Sequence, residues 1–247
     1  MLIKPPMPQL PIDDPSCGWE QIAAEFIAYR QHSTIGVATL RQWASELPKN
    51  ARVLDLGCGF GVPVTSTLLE MGFFLYGIDA SPTLVAEFKQ RFPQVPIQCA
   101  DVAFADFSPA AFSCAADHPE PQIQIKIALP LSQPVCKEQV IADRRINQPS
   151  YDAIVAVGLM FLLPAETQQR VLALSAAALA IGGKLLFSAP VQACRWLDQS
   201  TTRQSISLGR DAYRLWARQH GLALQQEWTD EGENHYFCFS KMEHDVG

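Results

Sequence analysis

Residues 53–64 read VLDLGCGFGVPV, an apolar run that ends in one acid, Asp55, and is followed by glycines at alternate positions, Gly57, Gly59 and Gly61. A β-branched and Leu-rich segment running into glycines, with Pro63 where a helix can start and Gly72 where it can stop, predicts strand, tight turn and helix. Such a turn lets a ligand lie against bare backbone at a helix N-terminus, where open α/β sheets bind their cofactors. The dinucleotide fingerprint G-x-G-x-x-G would need glycine at position 62, where the chain has Val62, and it asks for no acid at Asp55. A nicotinamide dinucleotide is therefore the poorer fit.

The same alternation continues outward. FFLYGID (73–79) predicts a second strand, and Ser81-Pro82 caps and opens a helix whose Leu84, Val85, Phe88 and Phe92 recur at helical spacing. VPIQCAD (95–101) is a short third strand, and YDAIVAVG (151–158) is a fourth, apolar without alternation as a strand covered on both faces should be. After Pro164 the spacing predicts a helix with Val171, Leu174, Ala178 and Ile181 on one stripe, terminated by Gly182-Gly183 and followed by the strand KLLFSAP (184–190). A last helix begins near Gly209, and LALQQEWT (222–229) and HYFCFSKM (235–242) are strands joined by DEGEN (230–234). Seven strands with mostly crossover links imply an α/β fold: a doubly wound, Rossmann-like, mostly parallel seven-stranded sheet with an antiparallel C-terminal strand.

Composition narrows the function. With 247 residues, 48% of them apolar, the chain can bury one large core. Its 19 Lys and Arg against 25 Asp and Glu give a net charge of -6, so the electrostatic footprint of a nucleic-acid binder is missing. Seven cysteines without a CxxC pair suit a reducing compartment, with the cytoplasm as default, and offer no zinc site or other metal centre. The longest aliphatic stretch free of charge, 171–183, is too short to cross a bilayer, so no membrane partner is expected. The proline-rich residues 1–17 read as an extended lead-in without a signal-peptide core.

The pattern D-x-G-x-G-x-G at Asp55, Gly57, Gly59 and Gly61 resembles motif I of the class I S-adenosylmethionine (SAM) methyltransferases, and the resemblance extends from about Gly18 to the C-terminus. It implies SAM as cofactor and S-adenosylhomocysteine (SAH) as product. In that family the glycines pack against the amino-acid part of SAM, and the motif I acid, here Asp55, helps to orient it. The acid at the end of the second strand, here Asp79 with Ala80 beside it, binds both ribose hydroxyls. One carboxylate can accept from two adjacent hydroxyls at once. By the same resemblance Asp101 takes the adenine amino group next to Val102, Gly158 lines the methionine end, and Cys58 is a small side chain packed beneath the cofactor. The helix within GWEQIAAEFIAYRQHS (18–33) implies a lid over the pocket, with Arg30 a partner for the methionine carboxylate.

Acceptor chemistry is expected from the loops on the same rim, VQACRWLDQSTTRQS (191–205) and DEGENH (230–235). His235 could take a proton from the attacking atom, with Glu233, Asn234 and Tyr236 beside it and Trp196 stacking on a planar substrate. GLMFLLP (158–164) lacks the N-P-P-Y tetrad of amide and base N-methyltransferases and offers apolar walls instead. The expectation is one methyltransferase domain over 18–247, with lid helices in 18–48 and an insertion over 108–150. It transfers methyl from SAM to a small-molecule acceptor by in-line attack on the sulfonium methyl, and works as a monomer or homodimer. The alternatives are an aminopropyltransferase of the polyamine-synthase type and a non-enzymatic SAM-binding regulatory subunit.

Overall fold

The computed structural model describes residues 14–112 and 150–243. Its centre is a seven-stranded sheet of order β3-β2-β1-β4-β5-β9-β8. The strands are β1 (Arg52–Leu56), β2 (Phe74–Asp79), β3 (Ile97–Cys99), β4 (Tyr151–Ala156), β5 (Leu179–Ser188), β8 (Leu222–Thr229) and β9 (His235–Lys241). β1 to β5 pair in parallel, and β9 runs antiparallel to both β5 and β8. This is the predicted topology, and the order reverses between β1 and β4, the crevice where such sheets take ligands.

Helices cover both faces. On one side α2 (Val37–Ala44), α3 (Val64–Glu70) and α4 (Pro82–Arg91) close over Val53, Leu75, Val155, Leu186 and Cys238, with Trp43 fully buried. On the other, α5 (Ala165–Ala178) and α6 (Arg210–Gln219) cover Leu54, Ile154, Leu185, Phe187, Phe237 and Phe239. Alternate residues of one strand thus enter different cores, which is why the central strands read as unbroken apolar runs. Tyr213 of α6 is wholly buried, and its hydroxyl donates to Gln168 Oε1 of α5 at 2.8 Å, so the two helices are joined by a satisfied polar pair inside the core. α1 (Ala23–Arg30) lies outside these layers and packs on α4.

Several expectations are corrected. α5 stops at Ala178, and the chain enters β5 at Leu179, before the two glycines expected to end the helix. Ile181 consequently lies exposed near the strand's irregular start, because Leu179 pairs with Tyr151 while the regular ladder resumes only at Lys184 with Ala153. The helix expected over 18–33 starts only at Ala23, after a run of turns from Pro15 to Ile22. The last residues of the expected lead-in, 14–17, enter this run of turns, with Asp14 accepting from Ser16 N at 2.9 Å and Gly18 N at 2.8 Å. The segment after β5, read as loop, forms a separate hairpin of β6 (Cys194–Leu197) and β7 (Gln204–Ser207). Of the expected insertion, Pro109–Phe112 forms a 3-10 turn with Phe112 against Tyr76, while 113–149 lies outside the described residues.

Candidate cofactor and acceptor site

The glycine turn hangs from the end of β2. Gly57 N and Cys58 N donate to Ile78 O at 2.8 and 3.2 Å, and Gly59 N donates to Asp79 Oδ2 at 2.8 Å. All three glycines have positive φ, yet they face different things. A Cβ on Gly61 would stand 2.4 Å from the Phe92 ring, and one on Gly57 would stand 2.9 Å from the Leu159 side chain. On Gly59 it would meet only the Phe26 ring, at 3.7 Å. Gly61 therefore permits helix packing, Gly57 makes room for the segment after β4, and Gly59 lies buried beneath the Phe26 ring of α1 with no other side chain close to it.

Asp79 ends β2 beside this turn. Its second oxygen accepts from Ser81 N at 2.9 Å, so the carboxylate fixes both the turn and the start of α4 while two oxygens keep spare lone pairs for donors from the cleft. Burial pushes its carboxyl above the ordinary range against the pull of the Ser81 and Gly59 amides, and the charge of Glu20 adds to the rise. Asp55 lies beneath, 2% exposed, accepting from Thr65 Oγ1 at 2.7 Å. Burial raises its pKa to about 7, against the Thr65 hydrogen bond and with the Asp79 charge adding to the rise. Cys58 points into the sheet, where a Cβ on Gly77 would stand 2.9 Å from its sulfur. Burial pushes its thiol well up, so it is no nucleophile.

Asp101, after β3, accepts from Ala103 N at 2.8 Å, with Val102 buried beside it. Gly158, after β4, donates its N–H to Ser188 Oγ of β5 at 2.8 Å, and a Cβ there would meet nothing within 4 Å. Ala80 follows Asp79 half-buried. Arg30 ends α1, and its charge acts on the Tyr236 phenol.

The acceptor-side residues are more scattered than the sequence suggested. Trp196 of β6 packs on Phe161, in the 3-10 turn after β4, with ring centroids 5.5 Å apart. Together they form an aromatic wall. His235 opens β9, and its Nε2 lies 2.7 Å from Glu227 Oε2, which also accepts from Arg210 Nε at 2.9 Å. Its Nδ1 lies 3.3 Å from Thr229 Oγ1, and its ring stands edge-on to Phe237. Tyr236 does not reach the rim as expected: it is 2% exposed, and its hydroxyl donates to Asp230 Oδ2 at 2.8 Å. Asn234 Nδ2 is likewise spent on Asp230, at 3.0 and 3.1 Å, while Glu233 is exposed at positive φ in the turn. Asp230 is thus the hub of the β8–β9 turn, and no sequence pattern marked it.

The residues present fit SAM. A Cβ on Gly59 would meet only the Phe26 ring, the adjoining Asp79 carboxylate has acceptor capacity for a diol, and Trp19 Nε1, on the segment that covers the turn, is a buried donor with no partner among the described residues. A crossover α/β sheet with such a turn, an acid ending β2 and another after β3 puts a ligand crevice where the strand order reverses. A family model described as a methyltransferase domain matches residues 27–238, and the chain belongs to that family, the class I SAM-dependent methyltransferases.

Among solved structures, the CcbJ methyltransferase of Streptomyces caelestis has a TM-score of 0.62 at 13% identity, covering 94% of this chain and 100% of that one. The 1,6-didemethyltoxoflavin-N1-methyltransferase of Burkholderia thailandensis, solved with bound 1,6-didemethyltoxoflavin and S-adenosylhomocysteine, has a TM-score of 0.60 at 13% identity, covering 95% of this chain and 93% of that one. These likenesses carry the fold. A trans-aconitate 2-methyltransferase from Methylobacterium nodulans is 36% identical over 85 residues, which span 33% of this chain and 31% of that relative.

Proposed function

We propose that this methyltransferase moves the methyl group of SAM to a small-molecule acceptor held between the Phe161–Trp196 wall and the end of β4. The observation that carries this reading is the Asp79 carboxylate at the end of β2, which holds the glycine turn through Gly59 N and α4 through Ser81 N and keeps acceptor capacity for a diol. Bound there, SAM supplies an electrophilic sulfonium methyl group open to in-line attack. Asp79 binds the ribose hydroxyls, Asp101 the adenine amino group, Arg30 the methionine carboxylate, and Gly158 lines the methionine end. The chain's own contribution is to orient the acceptor and exclude water, which supplies most of what a methyl transfer needs. His235, held by Glu227, is the group we assign to remove the acceptor's proton.

Two observations support a small acceptor. The net charge is -6, and the rim beyond β4 is aromatic and apolar. The relative's trans-aconitate, a small polycarboxylate, belongs in the acceptor panel for that reason. The test is incubation with labelled SAM and a panel of small carboxylic acids, amines and phenols, with mass spectrometry of the products. Label transferred to a small molecule supports the reading. SAH binding without transfer to any acceptor would favour the regulatory-subunit alternative.

A further inference from the structure

The β6–β7 hairpin carries one ring of the aromatic wall, yet it forms a sheet of its own and pairs with no strand of the central one. A two-stranded hairpin has little stability by itself, so the place of Trp196 is set by whatever grips the hairpin from outside. Its stem is closed where the chain leaves and rejoins the body: Ser207 Oγ donates to Pro190 O at 2.6 Å, and Arg210 N donates to Val191 O at 2.9 Å. Farther along, β7 packs on the 3-10 turn that carries Phe161. The two are joined by one side chain, Gln168 near the start of α5, which is wholly buried.

Gln168 Nε2 donates to Leu163 O at 2.8 Å and to Ile206 O at 2.9 Å. Leu163 follows Phe161 by two residues, and Ile206 is paired with Arg195, the neighbour of Trp196. One amide group thus holds the two stretches of backbone from which the two rings project. Its other end is fixed as well: Oε1 accepts from the Tyr213 hydroxyl at 2.8 Å, whose oxygen accepts in turn from Leu208 N at 3.2 Å, just beyond β7. Turned over, the amide would set its oxygen against two carbonyls, so these partners allow one orientation only. An apolar pair of the same size would fill the space without setting a direction, whereas buried hydrogen bonds fix both distance and angle.

We propose that Gln168, oriented by Tyr213, is a positioning residue for methyl transfer: it clasps the backbones behind Phe161 and Trp196 and so fixes the width of the acceptor site. The clasp rests on the reading above that places the acceptor against that wall. Being wholly buried, Gln168 touches neither acceptor nor SAM and acts only through the two rings. The acceptor side thereby has a rigid support made by none of the residues assigned to SAM.

The test uses the full chain labelled with 5-fluorotryptophan, with Gln168→Glu, Gln168→Met and Tyr213→Phe. Fluorine resonances of the five tryptophans are recorded, that of Trp196 being assigned through Trp196→Phe, and hydrogen exchange is followed in the hairpin and in β1 and β4. Gln168→Glu keeps the shape but sets a carboxylate against two carbonyls, and Gln168→Met leaves both carbonyls without their donor. Both are expected to move or broaden the Trp196 resonance and to speed hairpin exchange on the order of tenfold. Exchange in β1 and β4 and SAH affinity are expected to stay within about twofold of the wild type. Tyr213→Phe keeps both amide donors and should fall between, and it carries the test if the Gln168 variants do not fold. Label transfer from SAM across the panel of small carboxylic acids, amines and phenols should drop on the order of tenfold per folded molecule in the Gln168 variants. Glu87→Ala, which removes the ion pair to Arg91 on α4, serves as control and is expected to change none of these readouts. An unmoved Trp196 resonance, with hairpin exchange changing only in step with β1 and β4, would make Gln168 ordinary core and overturn the clasp. A moved resonance with undiminished label transfer would overturn its role in placing the acceptor. If the wild type binds SAH but labels no small molecule, the acceptor reading falls and the proposal with it.

Discussion

Asp55 and Asp79 lie close enough for one to raise the other's pKa, yet they do different work. Asp79 is half-buried at the end of β2, whereas Asp55 is buried beneath the turn and accepts from Thr65. Asp79→Ala removes an acceptor for two charge-assisted hydrogen bonds and is expected to weaken SAH binding ten- to a hundredfold, about 1.5–3 kcal/mol, by calorimetric titration. Unchanged affinity would mean that the ribose is held elsewhere. For Asp55 the folded pKa of about 7 lies above the ordinary carboxyl value of about 4. Between those two values the folded protein keeps a proton that the unfolded chain has released. Stability from this residue is therefore lost as pH rises through that window, by at most about 1.4 kcal/mol per pH unit. Asp55→Asn should remove that slope, so denaturant unfolding of wild type and variant at pH 5, 6, 7 and 8 is expected to diverge. Parallel stability profiles would refute it.

At the scale of the element, the turn between β1 and α3 divides its labour among three glycines. Gly61→Ala forces a Cβ into the Phe92 and Phe88 rings at positive φ, and strain plus overpacking are expected to cost about 2–5 kcal/mol of unfolding free energy. Gly59→Ala carries only the backbone cost of about 1–2 kcal/mol. It should fold, and it should lose SAH affinity more than Gly61→Ala loses per molecule of folded protein. Chemical denaturation with titration of the folded fraction separates the two effects. The start of β9 poses a different question, since the Arg210–Glu227–His235 cluster joins α6, β8 and β9 along the sheet edge. His235→Ala is expected to leave SAH affinity within about twofold, to lower turnover and to recover in part at higher pH, where the acceptor ionises unaided. Full activity at neutral pH would make the imidazole an edge strut.

At the scale of the whole molecule, β1 to β5 all end on one rim, where the proposed cofactor and acceptor sites adjoin. In the proposed reading, acceptor specificity is assigned to what is added above the sheet: the Asp14–Arg30 segment, the β6–β7 hairpin and the β8–β9 turn. A ligand that binds only the folded state stabilises it by about 2.7 kcal/mol at a hundred times its dissociation constant. For a chain of this size each kcal/mol moves the midpoint by about 2–4 °C. SAH at that excess is thus expected to raise the thermal midpoint by roughly 5–11 °C, whereas NAD at equal concentration should leave it in place. A shift with NAD and none with SAH would reverse the cofactor assignment.

What the sequence determined by itself is what local spacing can express. VLDLGCGFGVPV, the acid eighteen residues after Gly61 and the Ser81-Pro82 start of α4 each lie within one βαβ unit, so periodicity and turn chemistry suffice to read them. The alternation of strands and helices then left one economical topology. Tertiary structure alone decided the contacts between distant segments: Glu20 on Ser81, 61 residues apart, and Gly36 on Glu231, 195 apart. It decided what each glycine of the turn makes room for, because that depends on where Leu159, Phe26 and Phe92 come to rest. It turned Tyr236 inward and gathered Asp230, Asn234 and Tyr236 into one hydrogen-bonded turn. A residue's neighbours in the folded chain are set by packing across the sheet, and a single sequence records only the local part of that packing.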